Sequence, residues 1–185
     1  MKYFSSITLL SVLALMALSS FKPLSHTTKM YDDEDDYDTL DYYTMSVGGI
    51  KLGANYGVIL DKLGSPDSVK KEETQDAQLS NHFEEYFYGK DVFFVMDETL
   101  SGFELKTPKF KIDNLSDLKV GDNMAKVKKR FPKSYKLRDV DNSVEDWITT
   151  ISVRFGTTDS FLEIMVQNDK IISLTTITDD GSDSE

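Results

Sequence analysis

Cysteine is absent from all 185 residues. That excludes disulfides, thiol nucleophiles and thiolate-held zinc or iron–sulfur centres, and it removes the residue on which a bacterial lipoprotein is acylated. Histidine is almost absent: His26 and His82 are the two in the chain, so a Ser-His-Asp triad or an imidazole metal site would rest on His82 alone. Long apolar runs are scarce. The one that stands out, residues 7–18 (ITLLSVLALMAL), follows a positive start at Lys2 and leads to Ala17 and Ser19, small residues suited to a cleavage after Ser19. A spanning helix needs about 20 apolar residues, so this layout predicts a secretory signal peptide over 1–19. The expected address is the periplasm or the cell exterior, with no membrane contact after cleavage. Phosphate loops, nucleophile elbows and metal-binding histidine pairs are missing too, so no catalytic residue, metal or cofactor is assigned.

Basic residues are outnumbered, and the net charge is −11. The excess sits at the ends. Residues 32–41 (DDEDDYDTLD) hold seven carboxylates and no base, and residues 179–185 hold four more, whereas 42–178 carry 21 acids against 18 bases. A dense acidic run with few aliphatics buries too little surface to offset its ordering entropy, so a leader over 20–43 and a tail over 179–185 are predicted to be disordered. The leader has no glycine among its acids, which rules out an EF-hand calcium loop.

What the chain does contain is a repeat. Residues 51–66 (KLGANYGVILDKLGSP) are echoed 68 positions later by residues 119–132, KVGDNMAKVKKRFP. Lys51/Lys119, Gly53/Gly121 and Asn55/Asn123 are identical, and Ile59/Val127 and Leu63/Phe131 are close substitutions. Asn55 and Asn123 suit helix N-caps. Tyr56, Ile59, Leu60 and Leu63 form one helical face, and Met124, Val127 and Phe131 form its narrower counterpart. Gly64 and Pro66 stop the first helix.

Each helix is followed by aromatic and β-branched runs. In the first half these are HFEEYFY, DVFFVMD and FELKT, read as a meander with turns at Gly89-Lys90 and near Gly102; in the second they are WITTISVRF, SFLEIMVQ and KIISLTTI, with Asn168-Asp169 as the last turn. Trp147, Ile151, Val153 and Phe155 alternate with Thr150, Ser152 and Arg154. The resulting expectation is an α+β chain with two tandem helix-plus-antiparallel-meander units, 44–112 and 113–178, forming a two-layer domain with helices on one face of the sheet.

The pattern G-x-N-x-x-x-V/I-x-x-x-L-G-x-P before an aromatic meander, carried by Gly53, Asn55, Ile59, Leu63, Gly64 and Pro66 and again by Gly121, Asn123, Val127, Phe131 and Pro132, resembles the repeat of the SmpA/OmlA (BamE-like) family. In tandem it is similar to the fold of β-lactamase inhibitory proteins. The second copy lacks a glycine before Pro132, so its helix exit must differ. The resemblance covers about residues 45–178 and implies a concave outer sheet face that receives protein partners.

Three functional readings follow. On the outer sheet face, Tyr86, Tyr88, Arg154, Phe161 and Glu163 are residue types suited to binding a protein in the envelope or outside the cell; the first meander is apolar on both faces, with Phe83 and Phe87 opposing Tyr86 and Tyr88. The basic segment containing Lys126, Lys128, Lys129, Arg130, Lys133, Lys136 and Arg138 offers an alternative, binding of an anionic ligand or envelope polymer, with Lys126, Lys129, Arg130 and Lys133 as the candidate contacts. A carboxylate-based hydrolase is a third. Export and acidic charge argue against nucleic acid. The leading expectation is a non-catalytic protein-binding module.

Overall fold

Short helices cannot persist in water unless they pack on something larger, and here that something is a sheet. The computed structural model describes residues 37–72, 82–143 and 147–178. The signal-peptide and tail expectations fall outside these residues, as does the leader up to residue 36.

The two-layer α+β expectation is overturned. About 47% of the described residues are strand and 20% helical. The three α-helices, α1 (Tyr56–Leu63), α2 (Met124–Arg130) and α3 (Pro132–Lys136), span eight, seven and five residues, too little to form a layer. What dominates is a nine-stranded mixed sheet. The strands, in chain order, are β1 (Thr39–Leu40), β2 (Ser46–Val47), β3 (Ile50–Lys51), β4 (Ser68–Glu72), β5 (Phe83–Tyr88), β6 (Asp91–Met96), β7 (Thr99–Leu105), β8 (Asp139–Asp141), β9 (Ile148–Phe155), β10 (Ser160–Gln167) and β11 (Lys170–Thr178). The sheet runs β1-β9-β10-β11-β7-β6-β5-β4, with β8 also on β9, and β2 and β3 form a separate hairpin. The physical reason is a direct pairing between the two meanders, Leu174 with Leu105 and Thr175 with Glu104, which fuses them into one surface.

That seam has an unusual construction. Beyond Thr175 the backbone ladder stops, and the Thr176 hydroxyl takes the N–H of Phe103 at 2.8 Å and reaches its carbonyl at 3.4 Å. Gly102 lies beside it, inside β7 and not at a turn as expected. The actual turn is Asp97-Glu98, where both residues have positive φ (47° and 63°).

The same local hydrogen bonds occur around both copies of the sequence motif. Asn55 Oδ1 accepts from Gly57 N–H at 2.9 Å, and Asn123 Oδ1 from Ala125 N–H at 2.8 Å. The first helical amides, of Tyr56 and Met124, donate to Glu98 and Asp169 in the turns of the neighbouring hairpins, while Gly53 and Gly121 donate to Leu100 and Ile171. Gly53 and Gly121 have φ of 81° and 89°, a region that only glycine adopts freely. The exits differ. Gly64 ends α1 with positive φ, whereas Phe131, at φ −126° and ψ 66°, leaves the helical region and breaks α2, and Pro132 opens α3 in the first-turn position that proline tolerates. We expect Asn55→Ala and Asn123→Ala each to cost about 1 kcal/mol in chemical unfolding, with Asn→Asp nearly neutral at either site.

The acidic leader's end is part of the fold, against the expectation of disorder to residue 43. Tyr37 is buried (8% exposed), and β1 pairs in parallel with Arg154 and Phe155 of β9. The Asp38 carboxylate accepts the amides of Lys133 (2.8 Å) and Ser134 (3.0 Å), capping α3 from a distant part of the chain, and its own amide donates to Ser134 Oγ.

In the second meander the pleat is as read from the alternation: Ile151, Val153, Phe155, Leu162, Ile164 and Val166 are core. Trp147, expected with them, lies before β9 and is 64% exposed. In the first meander the phase is reversed. Tyr86 and Tyr88 are 6% and 4% exposed and pack with Phe93 and Phe110, so neither belongs to an outer binding face. The cause is their hydroxyls. Tyr88 Oη donates to the Gly64 carbonyl at 2.8 Å, and Tyr86 hydrogen-bonds Glu84, so each phenol can be buried with its polar end satisfied, while Phe83, Glu85 and Phe87 turn outward.

Candidate functional site

Direct cross-strand partners share a face of a sheet, so the register maps the outer surface. One row runs Ser152, Glu163, Thr175, Glu104, Val92, Phe87 and Ser68 across β9, β10, β11, β7, β6, β5 and β4. A second row places Phe161 between Arg154 and Ile177, and a third places Met165 between Thr150 and Ser173.

Three of the five residues expected to bind a partner meet here: Arg154, Phe161 and Glu163. They behave differently. Arg154 is locally committed, donating through Nε to the Thr158 carbonyl (2.8 Å) and through Nη2 to Asp159 (3.1 Å), with its guanidinium 5.8 Å from the Phe161 ring centre. Phe161 is closed on one side by Tyr37, edge-on at 5.8 Å. The Glu163 side chain has no hydrogen bond or ion pair among the described residues. It is half-buried, and burial pushes its carboxyl above the usual glutamate range. Its carboxylate sits between Ser152 and Thr175, beside Phe161 and Met165, and none of the described residues pairs with it.

The basic segment does not form one free positive surface. Lys126 pairs with Asp122 at 2.6 Å and reaches the Asp117 carbonyl. Lys128 and Arg138 lie against the Tyr135 ring, 5.0 and 4.4 Å from its centre. Arg130 and Lys133 line a cleft of about 300 Å³ with Tyr37, Asp38, Thr39, Leu40 and Phe131. That cleft already holds an anion of the chain's own, the Asp38 carboxylate. Lys129 is exposed on α2 and is not among the residues lining this cleft.

A third place escaped the sequence. On the helix side of the sheet, Tyr56, Lys71, His82, Glu84, Tyr86, Val95 and Glu98 line a cleft of about 390 Å³. Lys71 Nζ meets Glu84 Oε1 at 2.6 Å. Hydrogen bonding from Lys71 draws the Glu84 carboxyl below its usual range, and desolvation, with Glu84 adding to it, pushes the Tyr86 phenol up to about 12. The usable signal was register: pairing β4 with β5 sets Lys71 opposite Glu84, but the intervening polar stretch hid β4. No group of three or more potential metal-ligating side chains comes together among the described residues. No family model, curated protein or solved structure matches this chain.

Proposed function

We propose that this chain is an exported, non-catalytic binding module whose outer sheet face, centred on Glu163, receives a basic segment of a partner protein. The observation that carries the reading is the lone half-buried carboxylate. Burying a charge without a partner costs stability, and a group kept at such cost is expected to serve something other than the fold. Phe161 and Met165 supply apolar surface for the stem of a lysine or arginine, Glu163 takes its charged head, and the hydroxyls of Ser152 and Thr175 complete the surroundings. The chain's net negative charge, carried mostly by its terminal segments, attracts cationic partners over longer range.

The test is selection from a library of short lysine- and arginine-containing peptides, followed by affinity measurement. Glu163→Gln is expected to weaken the selected peptides at least about tenfold, and Phe161→Ala likewise, since a desolvated ion pair is worth 1.4 kcal/mol or more. The same Glu163→Gln change should stabilise the fold at pH 7 by about 0.5 kcal/mol, a small figure because solvent screens a group this exposed. The folded-state pKa is raised, so the folded form holds its proton more tightly, and stability falls as pH rises through the interval between the ordinary glutamate value and the raised one. The gain from Gln must therefore vanish below that interval, and peptide binding by the native protein must weaken as pH falls through it. Selected peptides that bind Glu163→Gln and the native protein equally would remove the basis of this reading.

A further inference from the structure

The cleft on the helix side of the sheet is a second site, independent of the outer face. Its volume, about 390 Å³, falls within the range of small-ligand sites. Among its lining groups, Glu84 and Glu98 carry negative charge and Lys71 carries the one full positive charge, so the cleft favours a cation. Two phenol rings, Tyr56 and Tyr86, line it as well, and aromatic faces attract ammonium groups. Val95, at the sheet floor, is buried and offers an apolar surface.

The occupant is indicated by the chain itself. Lys71 stands on the edge strand β4, largely exposed, yet its ammonium lies 2.6 Å from the Glu84 carboxylate at the cleft. Glu84 also takes a hydrogen bond from the Tyr86 hydroxyl, so the acceptor is fixed in place and does not need to be ordered by a ligand. We propose that this cleft binds a small primary amine, whose ammonium replaces that of Lys71 on Glu84 while its carbon chain lies between Tyr56, Tyr86 and Val95. Lys71 is the tethered competitor. Because its side chain is exposed and its ion pair is at the surface, it is easily displaced.

The experiment is a titration of the full chain with n-butylamine, with n-butanol and butyrate as neutral and anionic counterparts of the same length, read from the ring resonances of Tyr56, Tyr86 and His82. Butylamine alone is expected to give saturable shifts. Glu84→Gln should weaken it at least about fivefold, the scale of a charge-assisted hydrogen bond. Lys71→Met, a surface change that leaves the fold intact, should tighten it about threefold by removing the competitor. The assignment is overturned if butanol or butyrate shifts the same resonances with similar affinity, or if Lys71→Met binds butylamine no better than the native chain.

Discussion

Gly102→Ala is expected to lower the melting temperature by roughly 10 °C, corresponding to about 3 kcal/mol for a body of this size. An added Cβ would fall inside the van der Waals sphere of Thr176 Oγ1 and lie 3.2 Å from Phe94 Cδ2. Threonine is stiff about its first side-chain bond, so its oxygen cannot move aside without rotating the whole side chain. Rotation would break the 2.8 Å bond from Phe103 N–H, leaving a buried strand amide without an acceptor, which alone costs about 1–3 kcal/mol. Thr176→Ala removes the clash but also the acceptor. The double variant should therefore be less unstable than the sum of the singles, and a thermal-melt double-mutant cycle reads that coupling. If the two effects add, Thr176 does not hold the seam between the meanders.

This seam shows where sequence reasoning stopped. Local chemistry was readable: Asn55 and Asn123 cap their helices through side-chain oxygens, and Asn168-Asp169 makes its hairpin with both φ values positive. These features depend on a few adjacent residues. The fused sheet depends on Leu174 meeting Leu105 and Thr175 meeting Glu104, about 70 positions apart, and no local pattern announces such a pairing. A glycine within a β-rich run is the available signal, since it marks close approach in a strand interior; Asp97-Glu98, which makes the turn with both φ values positive, lacks the usual glycine of a tight hairpin.

The candidate site was legible by halves for a related reason. In β10, Leu162, Ile164 and Val166 occupy every second position, so Glu163 and Phe161 could be placed outward from the sequence. In β5 both faces carry aromatic rings, and the choice between Tyr86 and Phe87 depended on where a phenol hydroxyl could find a partner. Gly64 supplies one for Tyr88 and Glu84 one for Tyr86. Glu163 is exceptional because its side chain's lack of a partner among the described residues can be seen only once those residues are placed.

The folded end of the acidic leader was hidden for the opposite reason, that averaging over composition conceals a single well-placed residue. Asp38 lies in a run dominated by carboxylates, yet its own carboxylate accepts two amides at the start of α3, where Phe131 provides no side-chain cap. Asp38→Ala is expected to destabilise the fold by about 2 kcal/mol, since bonds to an ionised acceptor contribute more than neutral ones. Asp38→Asn should cost about half as much, because the amide oxygen still accepts. The loss also reaches the outer face. Asp38 O takes the Arg154 amide, and the adjacent Tyr37 ring closes the edge of Phe161. Detaching β1 would uncover Phe161 and remove one wall of the surface beside Glu163. Asp38→Ala should accordingly weaken basic-peptide binding several-fold, whereas Asn55→Ala, which loosens a helix remote from that surface, should leave the affinity unchanged. Equal peptide affinity in Asp38→Ala and the native chain would show that β1 secures the fold without shaping the binding face.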